Sequence, residues 1–147
     1  MNQSFRYSTR LNSFRARPEL YAWQSGPKSV TDLLRRANCV EQLDSVELNY
    51  PEHFADTSPQ ALLDVLRDTH LSVSGINLRY DASRFLDGGF TNPDAARRQE
   101  AVQVTREAID VCREMGGAHV VVWPAYDGFD YPFEVDYIQA WNWRRTT

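Results

Sequence analysis

The stretch VVVWPAYDGFDYPFEVDY (Val120–Tyr137) decides how the rest of the chain is read. Three valines and a tryptophan form a short apolar run. Pro124 stops it, and a loop dense in acidic and aromatic residues follows at once. An apolar run this short, ended by a breaker, fits a strand covered on both faces. In a parallel α/β fold such a strand delivers its loop to the carboxyl end of the sheet, where functional groups collect. The plainer reading is core followed by surface, with Asp127-Gly128 as an ordinary turn.

The chain upstream alternates in the same way. SFRYSTRLNSF predicts a first strand, roughly Phe5 to Leu11. SVTDLLRRANCV predicts a helix capped by Ser29, with Val30, Leu33, Leu34 and Ala37 at helical spacing. DSVELNYP is a short strand stopped by Pro51. TSPQALLDVLRDTH opens a helix with Ser58 at the N-cap and Pro59 at the first helical position. LSVSGINLRY is the third strand. NPDAARRQEAVQVTREAIDVCREMGG is a long helix, capped by Asn92 or Asp94 and ended by Gly116-Gly117. HVVVWPA is the fourth strand, and YIQAWNW begins a fourth helix. Alternating strands and helices imply a parallel sheet with right-handed crossovers. This pattern fits either a barrel or an open doubly wound sheet.

Composition narrows the function. The chain has 147 residues, fits one domain, and carries a net charge of −4. That balance argues against a nucleic-acid partner, which calls for a basic face. No apolar run is long enough to span a bilayer, so no membrane partner is expected. Cys39 and Cys112 lack metal or redox spacing and read as reduced, semi-buried thiols of a cytoplasmic protein. Glycine-rich nucleotide loops, H-E-x-x-H and G-x-S-x-G are all absent.

The predicted strand ends are polar. Glu47, Asn49, Tyr50 and His53 lie near the end of the second strand, and Asn77, Arg79 and Tyr80 near that of the third. Trp123, Tyr126, Asp127 and Asp130 lie near the end of the fourth. Amides, hydroxyls and carboxylates bond sugar hydroxyls, and flat rings cover the apolar face of a sugar. A small polyol is therefore the natural ligand class. Each residue also has a bland reading. Arg79 reads as the partner of a nearby carboxylate, His53 as a solvated loop histidine, and Trp123 as core. His70 and His119 precede strands and read as structural. Arg97 and Arg98 read as a solvated helix face. A buried Glu47 needs a partner, which favours function or an ion pair.

SVELNYPEHF, VSGINLRYDASRF, GGFTNPDAARRQEAVQVTREAIDVCREMGG and HVVVWPAYDGFDYPFEVDYIQAWNW together resemble the N-terminal half of the xylose isomerase-like TIM barrel group. That group also holds sugar-phosphate isomerases and epimerases and the endonuclease IV type of abasic-site nuclease. The resemblance implies a (β/α)8 barrel, of which residues 1–147 are about four βα units, truncated in the fourth helix; a whole barrel needs about 250 residues. It implies aldose–ketose isomerisation or epimerisation of a sugar or sugar phosphate, with Mn2+, Mg2+ or Co2+. The metal ligands belong to strands five to eight, so no tight metal site is expected in this chain. Glu47, Asn49, Asn77, Arg79, Trp123 and Asp127 carry over as substrate-side residues, and no residue is assigned as catalytic. A homodimer could complete the barrel. A non-catalytic sugar-binding module is the alternative. An abasic-site nuclease is less compatible with the acidic balance and with Asn77 where a metal-binding histidine would be sought.

Overall fold

The structure is a computed structural model, which describes residues 5–17, 29–124, 127–128, 131 and 133–147. Its elements alternate as β1 (Ser8–Arg10), α1 (Val30–Ala37), β2 (Ser45–Tyr50), α2 (Pro59–Arg67), β3 (Ser72–Arg79), α3 (Ala82–Phe85), α4 (Ala95–Glu114), β4 (His119–Trp123) and α5 (Tyr137–Thr146). The four strands pair in parallel in the order β1-β2-β3-β4. A doubly wound sheet reverses its strand order part-way; this one does not. With right-handed crossovers, a strictly sequential order puts every helix on one face, as in a barrel. The architecture is therefore about four βα units of a parallel (β/α) barrel.

Local signals explain the elements. Ser29 and Asp32 form a reciprocal capping box at α1. Ser58 accepts from the Ala61 amide at α2, with Pro59 in the first turn. Asp94, one of the two expected residues, caps α4. Gly116 follows α4 at φ +72, a conformation that suits glycine. β1 is shorter than the sequence suggests, because Leu11 is fully buried and opens a 3-10 turn over Leu11–Arg15. The four-residue α3 is too short to show a helical period. The fourth helix is more than begun: Asp136 caps it, and it runs ten residues.

Residues of alternate parity line the two faces. Val46, Leu48, Ile76 and Leu78 are fully buried against Leu33, Leu34, Leu62, Ala101 and Ala108 of the helices. Glu47, Asn49, Asn77 and Arg79 take the opposite parity. A bulge keeps the two strands in phase. Val46 pairs with Val73 but Glu47 pairs with Gly75, so Ser74 is the extra residue. Ser74 Oγ meets Ser8 Oγ at 2.7 Å and donates to the Val46 carbonyl at 3.3 Å.

Three polar residues read as rim or surface groups belong to the helix side. Tyr50 donates to Glu107 on α4 at 3.0 Å, and Tyr80 meets Thr105 on α4 at 2.8 Å. Their parity matches Leu48 and Leu78, which turns them away from the mouth. Arg98 is no solvated side chain. It donates to the Asn92 and Pro93 carbonyls at 2.7 and 3.0 Å and lies 5.4 Å from the Trp143 ring, tying α4 to α5. Arg97 pairs with Glu100 at 2.8 Å. Cys112 is buried and Cys39 exposed, both as free thiols. Among the described residues no helix is long and apolar enough to cross a membrane.

The core predicts its own ranking. Ile76→Ala, at a fully buried site in the middle of the sheet, is expected to cost about 2–5 kcal/mol in urea unfolding. Leu86→Ala, at a side chain 70% exposed, is expected to change stability by no more than about 0.5 kcal/mol.

Candidate functional site

Strand register sorts the inward face into rows. Arg10, Glu47, Gly75 and His119 share the lowest row. Asn49, Asn77 and Val121 form the next, and Arg79 and Trp123 the top. Glu47 therefore lies below the rim, level with the first residue of β4. That placement sets His119, which the sequence reads as structural, beside an inward-facing carboxylate. Its Nε2 lies 3.5 Å from Glu47 Oε1. Gly75 makes the approach possible, since a Cβ there would come within 2.7 Å of both His119 Nε2 and the His119 carbonyl.

Four of the six candidate residues form one contact chain. Asn77 Nδ2 donates to Glu47 Oε2 at 2.9 Å. Trp123 Nε1 donates to Asn77 Oδ1 at 3.3 Å. The Arg79 guanidinium lies 5.6 Å from the centre of the Trp123 ring. Arg79 thus rests on an aromatic face and, among the described residues, forms no ion pair, contrary to its plainer sequence reading. Trp123 is 45% exposed and is not core. Asn77 is almost wholly buried, so its amide is oriented by both neighbours at once.

Asn49 belongs to a second, adjoining network. Its Nδ2 donates to Glu52 Oε2 at 2.9 Å, and its backbone N–H donates to His53 Nδ1 at 3.0 Å. An amide can only donate, so Nδ1 accepts and the ring proton sits on Nε2. Nε2 then donates to Asn12 Oδ1 at 2.8 Å, and Asn12 Nδ2 donates to Glu52 Oε2 at 3.1 Å. Arg15 pairs with Glu52 at 3.1 Å. His53 is 1% exposed, which corrects its reading as a solvated loop residue. Burial, aided by Arg15 and opposed by Glu52, lowers its pKa to about 4. Burial raises the Glu52 pKa, but the Asn49 and Asn12 amides and the charges around it outweigh that and hold it below its ordinary value.

Asp127 stands apart from both networks. Its Oδ1 accepts from the Gly89 and Thr91 amides at 2.6 and 3.1 Å and from Thr91 Oγ1 at 3.0 Å, pinning the loop after β4 to the loop before α4. Its Oδ2 is buried and, among the described residues, has no hydrogen-bond partner. Tyr126 and Asp130 lie outside the described residues.

A cleft of about 270 Å³ opens at the carboxyl ends of β1, β2 and β3. Arg10, Asn12, Ser13, Asn49, Glu52 and Arg79 line it. Sequence reasoning missed Arg10, Asn12, Ser13, Glu52 and His119 as site residues. The 3-10 turns after β1 and β2 bring Asn12, Ser13 and Glu52 to the mouth, and strand register sets Arg10 and His119 in the row of Glu47. Among the described residues no three histidine, cysteine or acidic side chains converge as a metal site. The described residues therefore supply no donor set of their own for the divalent metal that the resemblance implies.

A parallel barrel segment whose inward face is polar and whose strand ends enclose a cleft defines the class: a (β/α)-barrel protein with its site at the carboxyl mouth. Residues 37–145 match the family described as "Xylose isomerase-like TIM barrel", and the chain belongs to that family. It is also similar to the xylose isomerase of Thermus thermophilus, with 30% identity over 104 residues. That alignment covers 69% of this chain and 27% of the relative, so the chain spans about a quarter of the relative's length.

The buried imidazole gives the site a pH signature. The unfolded chain binds a proton at His53 near pH 6.5, whereas the folded chain resists it down to about 4. This contribution to stability is complete above the unfolded value and is lost as pH falls toward the folded one. Urea unfolding is expected to show a loss of about 2 kcal/mol between pH 7 and pH 5. His53→Gln should flatten that slope; an unchanged slope in the variant would refute the assignment.

Proposed function

We propose that this chain forms the substrate side of a sugar isomerase or epimerase-type barrel and holds a small polyol, a sugar or sugar phosphate, on its inward face. The observation that carries the proposal is the contact chain Glu47–Asn77–Trp123–Arg79. It presents, side by side, an acceptor, an oriented amide, an exposed aromatic ring and a guanidinium. Sugars need that combination: directional partners for hydroxyls and a flat apolar surface for the ring. Asn49 adds an amide held in place by Glu52. Asp127 lies outside this contact chain and holds the loop before α4. Family membership and the similarity to a xylose isomerase support the substrate class.

In this reading residues 1–147 supply the first four βα units, in the cytoplasm, and either further chain or a second copy completes the barrel. β1 and β4 each have one strand neighbour among the described residues, leaving an edge that such a completion would cover. No catalytic residue is assigned, and the binding role does not depend on a metal held by the described residues. A binding-only module is the second reading, since the contact chain supplies binding groups that need no metal.

Calorimetry against a panel of aldoses and ketoses, with and without Mn2+, Mg2+ or Co2+, tests the proposal. At least one sugar is expected to bind, and Trp123→Ala to weaken it about tenfold, the equivalent of about 1.4 kcal/mol. Conversion of the bound sugar separates the isomerase from the binding module. Failure to bind any sugar sinks both.

A further inference from the structure

We propose that the cleft at the ends of β1, β2 and β3 is an anion subsite, in which Arg10 and Arg79 hold the phosphate or carboxylate of the polyol. The inference rests on the polyol reading above for what the anion is attached to.

Positive charge is left over in the cleft. Three charged side chains line the cleft: Arg10, Arg79 and Glu52. The Glu52 carboxylate is already satisfied, paired with Arg15 at 3.1 Å and accepting from Asn12 and Asn49 at 3.1 and 2.9 Å. Among the described residues no carboxylate pairs with Arg10 or Arg79. Glu47, the register partner of Arg10 on β2, hydrogen-bonds Asn77 and faces His119 instead. Two guanidiniums thus line one small cleft without an ion-pair partner among the described residues, in a chain whose net charge is −4.

The way Arg79 is held points the same way. Arg79 is held with its guanidinium carbon 5.6 Å from the Trp123 ring centre, and among the described residues its N–H groups have no hydrogen-bond acceptor. Those groups match the oxygens of a phosphate or carboxylate two at a time. Ser13, which also lines the cleft, has a hydroxyl with no hydrogen-bond partner among the described residues. The volume of about 270 Å³ lies just below the range typical of small-molecule sites, as a subsite would. The cleft opens at the row of Arg79, which also touches Trp123. One ligand can therefore stack on Trp123 and reach the cleft with its charged end.

Calorimetry at low salt with ribose, ribose 5-phosphate, ribonate and orthophosphate tests this. An anionic pentose derivative is expected to bind at least tenfold more tightly than ribose. Arg10→Gln should remove most of that gain, and Arg10→Lys should restore part of it. Tighter binding of the phosphate ester than of ribonate identifies a phosphate subsite, and the reverse order a carboxylate subsite. Equal affinity for ribose and both anionic forms, unaltered by Arg10→Gln, would overturn the subsite and leave the polyol reading standing. Tight orthophosphate binding with no gain from an attached pentose would uphold the subsite and overturn the polyol reading.

Discussion

A strand cannot turn neighbouring side chains to the same side, and β2 and β3 use that constraint to separate two chemistries. One parity, Val46, Leu48, Ile76 and Leu78, is fully buried against the helices. The other, Glu47, Asn49, Asn77 and Arg79, turns inward. The separation survives only because Ser74 is inserted opposite the Val46–Glu47 step. Without that bulge, the parity that buries Val73 would also bury Asn77 and Arg79 under the helices. Register is therefore the condition on which both core and site depend.

The inward residues are held by each other more than by the core. Asn77 is fixed between an acceptor on β2 and a donor on β4, so the site spans three strands through one amide. Asn49 is fixed from a different direction, through the turn that follows β2 and the neutral His53 beneath it. A protonated His53 could not accept from the Asn49 amide, and the network would lose its internal order. Burial keeps the ring neutral, and the neutral ring positions Asn12 and Asn49 at the cleft. The polarity of the mouth is thus built on a buried titratable group that need not touch a ligand.

Much of this was legible in the sequence where local rules decide. The caps at Ser29, Ser58 and Asp94 and the alternation of strands and helices follow from nearest-neighbour chemistry. Alternation alone did not give the sequential strand order, because barrel and doubly wound folds share it; the family resemblance pointed to the barrel, and the pairing bears that out. Arg10 and Asn12 became site residues only through pairing of β1 with β2 and the turn after it. His53 was misread because a loop position says nothing about what packs over it. Arg79 was misread because its partner, Trp123, is 44 residues further along the chain. One missed signal was in plain view. The apolar positions of LSVSGINLRY fall at 71 and 73, then at 76, 78 and 80, and that slip of one residue is the bulge.

The central claim is that ligand recognition belongs to the inward parity of the sheet and to its carboxyl mouth. Two-dimensional NMR during titration with ribose 5-phosphate tests it most directly, because the Trp123 indole N–H and the Asn77 side-chain amide each give a resolved kind of signal. These two are expected to move together, with the backbone amides of Arg10 and Arg79, while those of α1 and α2 stay still. Shifts confined to the helix face, with Trp123 and Asn77 unmoved, would contradict it.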